Sequence, residues 1–533
     1  MDPIPSAESF SHFPYPSRRI PVLARNMVAA SQPLASQAGL QMLQNGGNAV
    51  DAAVAAAAAL TVVEPTANGI GGDAFAIVWD GHRLHGLNGS GRSPAAWSPK
   101  RFNGLAQMPQ LGWDSVTVPG AVAAWADLSD RFGKLPFEQL LQPAIGYASR
   151  GFMVTPTVAA LWAEASLRLK DYPDFAAAFL PRGRAPHAGE TFALPAQADS
   201  LQKIADSRGE AFYRGELAER IVSHARVSGG ALAAADLAAH RSLWVEPVGL
   251  QYHGIDVYEL PPNGQGLTAL IALGILRHTD LSDHRMDSVD SLHLQVEAMK
   301  RAFACAGPAL ADPDWMQTDA NQLLDDVRLQ SVAKQIRIDR AADAPPNAWR
   351  DQGTVYLAAA DETGMMVSLI QSNYRGFGSG IVVPNTGISL QNRGSGFVLT
   401  TDHPNSVAGG KRPLHTIMPG FACRDGRPLL AFGVMGAHMQ PQGHVQMITR
   451  LFDYGLNPQA ASDAPRWCVD QDGSLALETP LGEKTAAGLA DRGHRLALRA
   501  PTTLFGGAQL ILRMTDGYCG ASDHRKDGQA AGF

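Results

Sequence analysis

The sequence predicts a mixed α/β (α+β) fold, and three observations carry that prediction. Two apolar runs, 354–360 and 365–370, flank the short polar connection Asp361-Glu362-Thr363-Gly364 and read as a β-hairpin. Other stretches space their apolar residues helically, as Leu34, Ala38, Leu40 and Leu43 do. With 533 residues, 45% hydrophobic and 18% charged, the chain has the make-up of a soluble globular protein. That length allows one large core or up to about three ordinary domains.

The first 21 residues hold five prolines and no apolar segment of the kind a signal peptide needs. The longest nearly apolar stretch, Ala52 to Val63, falls short of the roughly 20 residues that cross a bilayer. A cytoplasmic protein without membrane contact is the expectation, with residues 1–26 as a leader. A net charge of -6 and the lack of a basic cluster argue against nucleic acid as a partner. Cys305, Cys423, Cys468 and Cys519 are scattered, with no zinc spacing, and read as buried reduced thiols.

Along the chain, Met27-Val28-Ala29-Ala30 reads as a strand, and 33–44 as a helix stopped by Asn45-Gly46-Gly47. Asn48 to Asp51 starts an alanine-rich helix that ends before Glu64-Pro65; so many small side chains imply close packing and burial. Asn68-Gly69-Ile70-Gly71-Gly72-Asp73 is a glycine-rich turn into a strand 74–79, with Asp80-Gly81 as a hairpin signal. The turn lacks the lysine and the spacing of a phosphate-binding loop, so tight packing is the favoured reading. Helices over 121–132 and 137–149 read as scaffold, and 161–240 as helices and loops without a chemical cluster.

Pro261-Pro262-Asn263-Gly264-Gln265-Gly266 precedes a helix over 267–276. A helix over 288–305 carries His293 and Glu297 four residues apart; with no third metal ligand nearby, an ordinary helix pair is favoured. Residues 341–351 read as a linker. A second hairpin, 421–423 with 429–434, leads through Gly436-Ala437 and Gln440-Pro441-Gln442-Gly443 to a helix over 444–451. Such a strand, small-residue turn and helix start leaves backbone N–H groups pointing outward. The polar tail 521–528 suggests no chemistry.

Two features are candidates for function. At Gly353-Thr354 the chain could cleave itself, leaving Thr354 as a new N-terminus and nucleophile; taken alone, a Gly-Thr step carries no weight. Arg92, in Asn88-Gly89-Ser90-Gly91-Arg92-Ser93, reads either as a solvated side chain or as a carboxylate clamp that glycines let a ligand approach.

The weight comes from a resemblance. The stretches Gly46-Gly47-Asn48-Ala49-Val50-Asp51-Ala52-Ala53, Ile70-Gly71-Gly72-Asp73, Pro262-Asn263-Gly264-Gln265-Gly266, Phe377-Gly378-Ser379-Gly380, Asp453-Tyr454-Gly455-Leu456-Asn457 and Asp463-Ala464-Pro465-Arg466 resemble those of the γ-glutamyltransferases (γ-glutamyl transpeptidases). These are N-terminal nucleophile hydrolases, which include related cephalosporin acylases. The match runs in family order from about Met27 to Asp523.

The resemblance implies a four-layer αββα sandwich and a precursor that cuts itself between Gly353 and Thr354, into residues 1–353 and 354–533. Thr354 falls on the nucleophile, seven residues before Asp361. Arg92 falls on the arginine that holds a substrate carboxylate, and Gly436 and Ala437 on the pair whose N–H groups form an oxyanion hole. No metal or cofactor is implied. The partners implied are a small amide, γ-glutamyl (glutathione-like) or glutaryl in type, with water or an amino acid as acceptor. An N-terminal threonine suits this chemistry because its own α-amine, with a pKa of about 7.7–8.0, can take the hydroxyl proton.

The chain departs from the family's pattern where the glutamyl group is held. A second threonine after the nucleophile is Val355 here. The asparagine, glutamine and aspartate that grip the glutamyl amine align with Tyr374, Arg393 and Gly396, and a Ser-Ser pair with His415-Thr416. A substrate ammonium loses its acid partner, and burying it unpaired costs several kcal/mol. The departures point to an acyl group without the α-amine, such as glutaryl, unless another residue replaces the aspartate. A non-catalytic scaffold with an eroded pocket is the alternative from another class.

Overall fold

The strand Val355–Ala360 sits third in a seven-stranded sheet of the computed structural model, which describes residues 18–342, 353–470, 472–497 and 502–533. The sheet order is Gln529–Gly532, Met27–Ala30, Val355–Ala360, Met366–Ser372, Asp73–Trp79, Leu84–Asn88 and Leu243–Val245, all neighbours antiparallel. Every residue of the Val355–Ala360 strand is buried. Covered on both faces, it reads as a continuous apolar run instead of an alternation.

A second antiparallel sheet lies against the first, in the order Val22–Ala24, Gly517–Ser522, Gly507–Met514, Arg427–Met435, Gly420–Arg424, Ile255–Glu259 and Val248–Tyr252. Phe75, Ile77, Tyr356, Ile370, Phe421, Ala431 and Ile511 fill the space between the sheets. Each large apolar side chain of this kind contributes about 1.5–3 kcal/mol when fully buried. The helices Pro33–Gln44 and Ala49–Val63 cover the first sheet, and Gly266–Leu276, Val289–Ala306 and Met439–Phe452 the second. This is the four-layer αββα sandwich. Strands from before and after Gly353 interleave in both sheets, so both pieces of the chain share one core.

The alanine-rich helix is buried along its whole length, as its composition implied. Asn48 and Asp51 form a capping box at its start, and Asp51 also accepts from Lys134 N and Leu135 N. The glycine-rich turn is a packing device: a Cβ on Gly71 would lie 2.4 Å from Ser389 O, and one on Gly69 2.3 Å from Ser389 Oγ.

Several sequence expectations are corrected. Residues Val22–Ala24, placed in the leader, form an edge strand on Gly517–Ser522. The helix expected from His444 begins at Met439. Pro441 falls in its first turn, where no N–H is missed, and Gly443 lies against Val434, where a Cβ would come within 2.5 Å. His293 and Glu297 do not bond to each other: His293 meets His494 and Arg337 O, while Glu297 pairs with Lys300 and Arg301. Of the linker 341–351, only Ala341 and Ala342 lie within the described residues. Three of the cysteines are buried and Cys305 is half-buried; all four are free thiols.

Candidate active site

Thr354 is buried at the foot of an open cleft of about 950 Å³. The hairpin register pairs Val355 with Gln371, so Thr354 lies opposite Ser372 as the ladder runs on. Thr354 Oγ1 donates to Ser372 Oγ at 3.3 Å, and Ser372 Oγ donates to Gly353 O at 2.5 Å. Tyr374 N and Arg393 Nη2 donate to the same serine oxygen, at 2.7 and 3.2 Å. The Gly353 carbonyl and the Thr354 hydroxyl are thus held by one side chain. Gly353 is required by close approach, since a Cβ there would stand 2.3 Å from Gly376 N and 2.7 Å from Tyr374 O.

Arg393 is fully buried. Its Nη1 donates to Thr416 Oγ1 at 2.8 Å, and its guanidinium stacks 4.2 Å above the Tyr374 ring. Among the described residues no carboxylate touches it, and its Nε lacks a partner. Burial lowers its pKa to about 10, with Asp73 opposing, so it stays charged at neutral pH. His415 Nε2 lies 3.1 Å from Asp73 Oδ2. Burial lifts the Asp73 carboxyl to about 7 against the pull of Arg393, and burial with Arg393 holds His415 neutral. The contact is therefore a hydrogen bond more than an ion pair. Tyr374 adopts φ 77, a strained backbone for a side chain of its size.

Tyr374, Arg393 and Thr416 thus gather behind Ser372, while His415 turns to Asp73. Gly396, at the end of the turn that carries Arg393, brings no acid. Arg92 stands elsewhere: it is half-exposed, donates to Gly410 O at 2.8 Å, pairs with Asp312 at 3.3 Å, and is not part of the cleft wall around Thr354.

The Arg427–Met435 strand ends at the cleft, and Gly436 lines it. Gly436 and Ala437 have φ 116 and 49 and form the turn into the Met439–Phe452 helix. Among the described residues neither N–H has a backbone acceptor, though of the two only Gly436 lines the cleft. Gln265 Nε2 bonds to Thr416 O and Ala437 O, at 2.5 and 2.9 Å, tying the two segments together. That tie gives the Pro262–Gly266 motif its physical role.

Sequence reasoning missed four contributors. Ser372 was within reach of it, since counting along the hairpin sets it against Thr354. His438 lines the cleft with neither ring nitrogen in a hydrogen bond among the described residues; Asp470 stands 3.9 Å from its Nε2, and burial drops its pKa to about 4 against the pull of that carboxylate. One face of the Pro156–Leu169 helix, with Thr157, Leu161, Glu164, Ala165 and Arg168, forms a wall of the cleft, and all of these but Thr157 fall in the region 161–240 read as holding no chemical cluster. The polar tail also reaches it: Arg525 and Lys526 line the cleft, while Asp523 pairs with Arg466 in the core.

A family model described as Gamma-glutamyltranspeptidase matches residues 35–533. The chain belongs to the gamma-glutamyltranspeptidase family. It is 38% identical over 521 residues to a glutathione hydrolase-like YwrD proenzyme of Bacillus subtilis, covering 96% of this chain and 98% of that one. It is 36% identical to an oxamate amidohydrolase proenzyme of Klebsiella pneumoniae, over 96% and 99%. The solved structure of a cephalosporin acylase from Bacillus halodurans superposes with a TM-score of 0.94 at 47% identity, covering 98% of both chains. The gamma-glutamyltranspeptidase family is one of self-processing N-terminal nucleophile amidohydrolases, so the chain is an enzyme and not a bare scaffold. It acts on amides, with water or another acceptor taking the acyl group. Among the described residues no helix is long and apolar enough to cross a membrane.

Proposed function

We propose that the enzyme cuts itself between Gly353 and Thr354 and then hydrolyses or transfers acyl groups that carry an acid, glutaryl in type, through an ester on Thr354. The observation that carries the reading is the buried cation Arg393, one hydroxyl away from Thr354 and touched by no carboxylate among the described residues. A γ-glutamyl ammonium brought there meets a like charge, whereas a carboxylate meets a guanidinium that no acid contacts, Asp73 acting on it only from beyond ion-pair distance with its carboxyl lifted to about 7. A relative named for oxamate, which bears a carboxylate beside its amide, supports the same reading.

After cleavage the Thr354 α-amine takes the hydroxyl proton as Oγ1 attacks the amide carbonyl. Gly436 and Ala437 N–H groups receive the oxyanion, each supplying about 3 kcal/mol. The amine then returns the proton to the leaving nitrogen, and water or an amino acid takes the acyl group. In this reading Arg393, with Thr416 and Tyr374 around it, holds the acid of the acyl group. Arg92, answered by Asp312, does not.

Matched glutaryl and γ-glutamyl anilides assayed on the cleaved enzyme test the proposal. The glutaryl compound should react at least tenfold better in kcat/KM, and Arg393→Gln, once fully cleaved, should lose that margin. A γ-glutamyl preference refutes the reading.

A further inference from the structure

We propose that Arg393 is also a positioning residue for the self-cleavage step, acting through Ser372. This rests on the self-processing of the family and not on the acyl preference argued above. Ser372 Oγ has a single proton, and its 2.5 Å hydrogen bond commits that proton to Gly353 O. Three donors then share the two lone pairs of that oxygen, Tyr374 N at 2.7 Å, Arg393 Nη2 at 3.2 Å and, longest of the three, Thr354 Oγ1 at 3.3 Å. Of these only the guanidinium is charged, and Thr416 Oγ1 and the Tyr374 ring hold it in place. It keeps the serine proton aimed at the scissile carbonyl.

In the step itself, Thr354 Oγ1 bonds to the Gly353 carbonyl carbon as the C=O π pair moves onto oxygen. The threonine proton passes to Ser372 Oγ while the serine proton passes to Gly353 O, so Ser372 is regenerated and a neutral five-membered ring results. Collapse of the ring restores C=O, breaks the C–N bond and returns the hydroxyl proton to nitrogen, leaving an ester. Water hydrolyses that ester to a Gly353 carboxylate and a Thr354 with free amine and hydroxyl. During the proton transfer the Gly353 oxygen carries partial negative charge, and a fixed cation one hydroxyl away stabilises it. The chain keeps a fully buried guanidinium with an unpartnered Nε and no carboxylate in contact among the described residues, an arrangement costly for packing alone.

The test follows cleavage of the freshly made full chain on denaturing gels, for Arg393→Gln, Arg393→Lys, Ser372→Ala and the two double variants, with thermal melting as the check on folding. Arg393→Gln should cleave roughly tenfold to a hundredfold more slowly, the effect of a charged hydrogen bond, and Arg393→Lys should recover much of the rate. Each double variant should be no slower than Ser372→Ala alone, because the arginine works only through the serine. Cleavage of Arg393→Gln at the parent rate overturns the proposal, and so do effects that multiply in the double variants. Should Arg393→Gln fail to fold, Arg393→Lys with and without Ser372 decides by the same comparison. No substrate enters this assay, so its outcome is separate from that of the acyl preference.

Discussion

Asp361 Oδ2 accepts the N–H of Ala49 at 2.8 Å, joining the turn of the hairpin that follows Thr354 to the start of the buried alanine-rich helix. The other carboxylate oxygen accepts from Thr363 N, Thr363 Oγ1 and Met365 N, closing the hairpin turn. One side chain thus sets both the hairpin and the helix that packs on it. Two distant motifs, the one around Asn48 and the one after Thr354, meet here.

Replacing Asp361 by alanine should therefore destabilise the chain by about 3 kcal/mol, combining a lost helix cap with lost charged hydrogen bonds in the core. Urea unfolding of the uncleaved Thr354→Ala background checks this. A midpoint unchanged by the second substitution would falsify the role given to Asp361.

Gly353→Ala should slow self-cleavage by tenfold or more. The added Cβ meets the Gly376 and Tyr374 backbone, which cannot swing aside as a side chain could, so the scissile carbonyl must move off Ser372. A gel time course measures the rate; cleavage as fast as in the parent removes the steric argument. Thr354→Ala should remain one uncut chain in the same assay.

The buried Asp73 makes stability depend on pH. Burial lifts its carboxyl to about 7, although Arg393 and backbone N–H groups oppose the shift. Between about pH 4 and pH 7 the folded chain keeps a proton that the unfolded chain has lost. The stabilisation is complete below the unfolded pKa and declines as pH rises to 7, by up to about 4 kcal/mol. Asp73→Asn should flatten that slope in denaturant titrations at pH 5, 6 and 7; an unaltered slope assigns it to other groups.

At the other end of the pH scale stands the buried Arg466–Asp523 pair, whose carboxylate also accepts from Ala508 N at 2.7 Å. Burial acts to raise the Asp523 pKa, but Arg466 and Arg525 outweigh it and hold the carboxyl far below its usual range. Its stabilisation is present above the unfolded pKa of about 3.9 and is lost as pH falls below that value. Asp523→Ala strands Arg466 in the core and should cost about 3–5 kcal/mol at pH 7, read as a lower melting temperature. Asp523→Asn should cost less.

Local pattern made much of this legible. The helices Pro33–Gln44 and Ala121–Phe132 and the strand Met27–Ala30 have the bounds their spacing and stop signals predict. The hairpin 355–372 was legible for the same reason, because glycine, turn residues and apolar runs act within a few positions of one another. Where a local signal had two meanings, the reading failed: Gln440-Pro441-Gln442-Gly443 has turn composition, yet contact with Val434 makes it the first turns of a helix.

By itself the sequence determined the family, the nucleophile candidate at Gly353-Thr354 and the kinds of element around it, since these rest on short motifs and local spacing. Only the tertiary structure decided that Arg393 shares Ser372 with Thr354, that Arg92 is answered by Asp312, and that Arg525 and Lys526 of the tail line the cleft. Those relations join residues from tens to hundreds of positions apart. Which charge meets which partner is set by how the layers stack, and no local pattern along the chain encodes it.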